Sequence, residues 1–139
     1  MLSSLMLAIL FAAASATFTI PSEPLKSQLQ SAIWADLQLN AMIGNGNWLA
    51  SLWYQAGNGT APDLHIEELS CGKTRKGHQC AFNLYRDGGR KVVLNETAPD
   101  RLACIASFTL LRDGISVFHT PPRGSGHSKT SMRCEVIDR

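Results

Sequence analysis

Four cysteines, Cys71, Cys80, Cys104 and Cys134, all stand in or beside stretches whose apolar residues recur every second position. Cys80, Phe82 and Leu84 alternate with Ala81, Asn83 and Tyr85. Leu102, Cys104, Ala106, Phe108 and Leu110 alternate with the residues between them, and Met132, Cys134 and Val136 do the same near the end. Period two belongs to half-buried strands, so the cysteines are tied to the faces of a sheet. Three pairings are possible for four cysteines. Strand placement favours two of the bonds. Cys71 and Cys80 flank a turn between consecutive strands, and Cys104 and Cys134 each share the apolar phase of their own strand. In the chain-entropy picture, rings of about 10 and 31 residues contribute about 2.7 and 3.7 kcal/mol. That is a large share of the 5–15 kcal/mol or so that holds a typical domain together.

Disulfides imply an oxidising compartment, and the beginning of the chain agrees. The run from Leu5 to Ala14 is apolar, and Ala14 and Ala16 are spaced like a signal-peptidase site. It falls well short of the roughly 20 residues needed to cross a bilayer. Residues 1–16 are therefore expected to be a secretory signal peptide, although no Lys or Arg precedes the apolar run. Residues 17–139 are expected to form a single exported α+β domain, secreted or periplasmic, with no transmembrane span in the mature chain.

Ahead of the strands lies a helical pair. Ser22 is expected to cap a helix whose apolar stripe is Leu25, Leu29, Ile33, Leu37 and Ala41, ending near Gly44 in "GNGN". A second helix fits residues 47–56, with Asn47 as cap and Gly57 as its left-handed terminator. Trp48, Leu49, Leu52, Trp53 and Ala56 share one face, so Tyr54 is expected to be the exposed aromatic residue of the cluster. Strands are expected near 64–71, 79–86, 90–95, 102–111, 115–119 and 130–137. Turns fall at Asp87-Gly88-Gly89 and Asp113-Gly114, and a bulge at Glu67-Glu68 reconciles the two phases of the first strand. The expected fold is α+β: an N-terminal helical pair packed on an antiparallel β-meander of about five or six strands with two disulfides.

A helix followed by antiparallel strands, with two disulfides toward the C-terminal half, resembles the architecture of secreted cystatin-type protease inhibitors. Those inhibitors carry a Q-x-V-x-G hairpin after the helix. Here the nearest stretch is "QAGNG", residues 55–59, with Gly57 in the place of the valine. Their Pro-Trp loop has no counterpart, since Trp34, Trp48 and Trp53 all precede the strands, and no residue role carries over.

The chain offers few chemical constellations. Thirteen Lys and Arg against eleven Asp and Glu give a net charge of +2, without the basic excess of a dedicated nucleic-acid binder. The segment "CGKTRKGHQC" has neither zinc-knuckle nor C-x-x-C spacing and reads as a stapled hairpin. Lys73, Arg75, Lys76 and His78 at its tip offer contacts to an anionic polymer or to an envelope or secreted protein. A second basic loop, "TPPRGSGHSKTS" at 120–131, adds Arg123, His127 and Lys129 to that candidate surface. It lacks the spacing of a phosphate-binding P-loop and of a nucleophile elbow. Glu67 and Glu68 are read as structural, and Asn58 and Asn95 open N-x-[ST] sequons. No cofactor, metal site or catalytic residue is assigned. The expected role is a non-catalytic binding or interaction module. The alternative is a small secreted hydrolase or metal-dependent enzyme using His119, His127 and a loop serine such as Ser125 or Ser128.

Overall fold

The computed structural model describes residues 17–57, 63–93, 95–122, 124, 126 and 128–137, so the expected signal peptide and the Asn58 sequon lie outside the described residues. Helix α1 spans Leu25–Ile43 and α2 spans Trp48–Gln55. Among the described residues nine strands follow: β1 Leu64–Lys73, β2 Gly77–Arg86, β3 Lys91–Val93, β4 Glu96–Ala98, β5 Arg101–Leu111, β6 Gly114–Val117, β7 His119–Thr120, β8 Lys129–Thr130 and β9 Arg133–Val136. The protein is α+β, with two helices packed on a mostly antiparallel sheet.

The main sheet has the order β1-β2-β5-β6, and β9 also pairs with β5. β5 is long enough to hold two partners on one edge. Its end meets β6 through Phe108↔Val117 to Leu111↔Gly114, and its beginning meets β9 through Leu102↔Val136 to Ile105↔Arg133. The join is closed by side chain: Ser131 Oγ accepts from Ser107 N at 3.2 Å and donates to Ser107 O at 3.1 Å. The five-stranded antiparallel sheet is as expected, and only the strand boundaries differ. The stretch at 90–95 forms a separate ribbon, β3 with β4. The stretches at 115–119 and 130–137 each split where the chain leaves the sheet to make the β7–β8 ribbon.

Both disulfides join directly opposed residues, Cys71 with Cys80 and Cys104 with Cys134. The bulge lies where expected: the β1 register shifts between Glu67 and Ser70, and Glu68 adopts φ 55°. The extra residue brings Ile66, Leu69 and Cys71 to the same core as Phe82, Leu84, Leu102 and Phe108.

The helices cover one face of the sheet. On α1 the buried residues are Leu29, Ala32, Ile33, Asp36, Leu37 and Asn40, so Ala41 yields its expected place to two polar side chains. Ser22 does not cap by side chain. It accepts from Lys26 N through its backbone carbonyl, and Pro24 stands at the N-cap. Asn47 caps α2 through Oδ1 to Ala50 N. Trp53 is fully buried and stacked on Trp34 at 6.3 Å, whereas Trp48 is 59% exposed and Tyr54 packs on the core. This reverses the expected roles. α2 is held between the sheet and the β3–β4 ribbon, where Leu52 and Ala56 meet Ala98, so its buried surface spans the consecutive residues Ala50 to Trp53. Gly57 is not left-handed; a Cβ there would lie 2.8 Å from the Leu64 side chain, which would have to shift to admit it. Leu110 keeps the inward phase of its strand but is exposed, because β5 runs beyond the part of the sheet that the core covers.

Gly77 fixes how the β1–β2 hairpin meets β5. A Cβ there would stand 2.2 Å from the Phe108 carbonyl oxygen. Gly77→Ala is expected to destabilise the oxidised protein by about 2 kcal/mol or more, since backbone must shift to admit the methyl group. Chemical denaturation against wild type measures this directly.

Candidate functional site

Between α1 and the outer edge of β6 runs an open groove. Its cavity of about 440 Å³ has Ala32, Ala35, Asp36 and Leu39 on the helical wall and residues 115–119 on the strand wall. It continues toward the start of α1 through Ser31 and Gln28, facing Asp113 and Gly114. Small helical residues keep this cleft from closing.

The strand wall presents backbone as well as side chains. Phe118 N donates to Ser107 O at 2.7 Å, and the register then alternates inward from that pair to Ser116 with Thr109 and Gly114 with Leu111. Ile115 and Val117 therefore turn their N–H and C=O groups away from β5 and toward the groove. Among the described residues no strand pairs with that edge; Ser116 Oγ alone reaches Val117 O, at 3.3 Å. Exposed edges are usually blunted by charge, proline or a covering segment. The other edges have such protection. Thr19 bridges β1 at Cys71, beyond the Glu67-Glu68 bulge, and β9 carries Arg133 and Glu135. The sequence of β6, Gly-Ile-Ser-Val, has no blocking residue.

One end of the groove is closed by a polar clasp. Asp36, buried on the inner face of α1, receives His119 Nε2 on Oδ1 at 2.5 Å. Asn45 Nδ2 also reaches Oδ1, at 3.2 Å, and Thr130 Oγ1 donates to Oδ2 at 2.7 Å. His119 Nδ1 lies 3.1 Å from Ser128 Oγ. A neutral imidazole meets both contacts when Nε2–H donates to the carboxylate and Nδ1 accepts from the hydroxyl. Behind Asp36, Asn40 Nδ2 donates to Asn47 O at 2.7 Å, and Asn40 Oδ1 accepts from Asn45 N at 3.0 Å. Thr130 N donates to Asn45 O at 2.9 Å. The "GNGN" segment is thus more than a helix stop. Its asparagines connect the end of α1 to the β7–β8 ribbon.

Ser128, His119 and Asp36 have the connectivity of a nucleophile, base and orienting acid. The groove, however, is lined by Asp36 and His119 and does not reach Ser128. What the arrangement does chemically is hold: the buried carboxylate satisfies three donors from three segments.

The other candidates lie apart. Lys73, Arg75 and Lys76 are exposed at the β1–β2 tip, and His78 is half-buried opposite Lys73 and Phe108. Lys129 lies at the far end of α1, its stem 3.8 Å from where a Cβ on Gly46 would stand. The two basic loops do not form one surface at these residues; Arg123, Ser125 and His127 lie outside the described residues. Glu68 accepts from Asn83 Nδ2 at 2.7 Å, a structural contact, and the Asn95 sequon is exposed at the β3–β4 turn. Among the described residues no three His, Cys, Asp or Glu converge as metal ligands, and no helix is long and apolar enough to cross a membrane. Comparison with protein-family models, characterised proteins and solved structures found no match.

Proposed function

We propose that this chain is a non-catalytic binding module, exported to the secreted or periplasmic space, that takes up an extended peptide segment along β6. The observation that carries this reading is an edge without a strand partner among the described residues: the backbone groups of half-buried Ile115 and buried Val117 turn away from β5 beside an apolar groove. A strand added there gains main-chain hydrogen bonds, while alternate side chains enter the cleft against Ala32, Ala35 and Leu39. The clasp serves the same purpose by fixing where β6 ends.

Peptides selected from a random library on the oxidised protein are expected to shift the Ile115 and Val117 amide resonances and slow their hydrogen exchange. Ile115→Pro removes an outward N–H without costing a bond to β5, so the fold is expected to persist while affinity falls about tenfold or more. Peptides that leave both amides unaltered, or that bind the proline variant equally well, would overturn the reading.

The hydrogen-bonded series Ser128–His119–Asp36 favours a second reading, an acyl-transfer hydrolase. Covalent labelling of Ser128 by a fluorophosphonate, abolished in His119→Ala, would put that reading first.

A further inference from the structure

The β1–β2 and β5–β6 turns project from the same end of the sheet and are joined there. Thr74 and Gly77 close the first turn through reciprocal backbone bonds of 2.9 and 3.4 Å, leaving Arg75 and Lys76 at its apex. Leu110 N then donates to Lys76 O at 3.3 Å, which brings the second turn alongside. Lys73, Arg75, Lys76 and Arg112 are all exposed here, with Asp113 the one carboxylate in the two turns. None of the four cations is in an ion pair among the described residues. Between them stand Leu110 and Leu111, each 56% exposed.

Charge is distributed unevenly along the sheet. Glu67 and Glu135 are in register with Asn83 and Ala103, in the half of the sheet remote from these turns. Asp87 and Asp100 lie farther still, just past the β2–β5 pairs that end at Tyr85 and Arg101. Arg90, Lys91, Arg101 and Arg133 offset part of that acidity, so an anionic surface would attract the turns more strongly than the opposite end, which orients the molecule as well as binding it.

We propose that the paired hairpin tips dock this protein on an anionic lipid bilayer, with the cations at the headgroups and Leu110 and Leu111 dipping into the acyl boundary. Charge complementarity selects an anionic partner, and the exposed leucines favour a bilayer over a soluble polyanion, which offers them nothing apolar. Gly77 supports the arrangement, since the close approach to Phe108 seats one tip against the strand that carries the other. This surface does not depend on the peptide-binding reading of the groove. Leu111 also lines the groove, but Leu110 and the four cations do not, and vesicle binding is read separately from peptide uptake.

The test is co-sedimentation of the full oxidised protein with vesicles of mixed phosphatidylglycerol and phosphatidylcholine, against phosphatidylcholine alone. Binding is expected to the mixed vesicles only, and to weaken as salt is raised. Joint replacement Lys73→Ser, Arg75→Ser and Lys76→Ser is expected to reduce partitioning about a hundredfold. Leu110→Ser with Leu111→Ser is expected to reduce vesicle binding about tenfold while leaving capture on a soluble polyphosphate resin unchanged. These side chains are exposed, and circular dichroism checks that each variant is folded. Absence of binding to the mixed vesicles would overturn the proposal. So would a leucine variant that binds vesicles like wild type, which would assign the cations to a soluble polyanion instead.

Discussion

Arg86→Ala is expected to lower the unfolding free energy by about 3–5 kcal/mol, because several buried carbonyls lose a charged donor at about 1–3 kcal/mol each. Arg86 is fully buried, and it donates to four carbonyls and to no carboxylate. Nη1 reaches Trp53 O at 3.3 Å and Pro99 O at 2.9 Å, while Nη2 reaches Gly89 O at 2.7 Å and Ala98 O at 3.4 Å. Trp53 O lies in the last turn of α2, where carbonyls lack helical partners. One side chain thus completes a helix end, a turn and the start of the β3–β4 ribbon. Burial pulls the guanidinium below its ordinary pKa, and the Asp100 carboxylate opposes that shift. The group still remains charged at neutral pH. Urea denaturation with the disulfides intact reads the loss, and exposed Arg90→Ala, expected to change stability by no more than about 0.5 kcal/mol, is the control. A loss below about 1 kcal/mol for Arg86→Ala would mean that water replaces the guanidinium at these carbonyls.

Asp36→Ala is expected to cost about 3 kcal/mol, because it strands His119, Thr130 and Asn45 as donors without an acceptor. The effect has a local signature. The Thr130 amide, bonded to Asn45 O, is expected to exchange about a hundredfold faster, and faster than the β2–β5 amides of the same variant. Ser128→Ala removes a half-buried hydroxyl with one contact and is expected to cost about 1 kcal/mol. Equal effects of the two substitutions would mean that Ser128 holds the ribbon as much as Asp36 does.

The sheet was legible in the sequence because its signals are local. Cysteines in the inward phase gave both disulfides, and two apolar phases in β1 gave the bulge at Glu67-Glu68. Asn47 and Gly44 marked the helix ends. The clasp was harder to find because its members are far apart in the chain, with Asp36 and Thr130 separated by 94 residues. One local signal did exist. Asp36 and Asn40 fall on the buried stripe of α1 beside Ile33 and Leu37, and polar groups in such positions require partners from elsewhere. Trp48 misled because hydrophobic periodicity in an eight-residue helix fixes its direction poorly, and a second packing partner, the β3–β4 ribbon, rotated the buried side. The division of one β5 edge between β6 and β9 carries no local signature, since it arises only when strand lengths are compared in space.

The Cys104–Cys134 bond has a consequence for resistance to proteolysis. It closes a ring that contains β6, the strand wall of the groove, His119 and Thr130. A protease that nicks the backbone once anywhere inside that ring produces two fragments that stay tethered, with β5 and β9 still clamped together. Nicked protein should run at full size until a reductant is added, and then fall into two pieces.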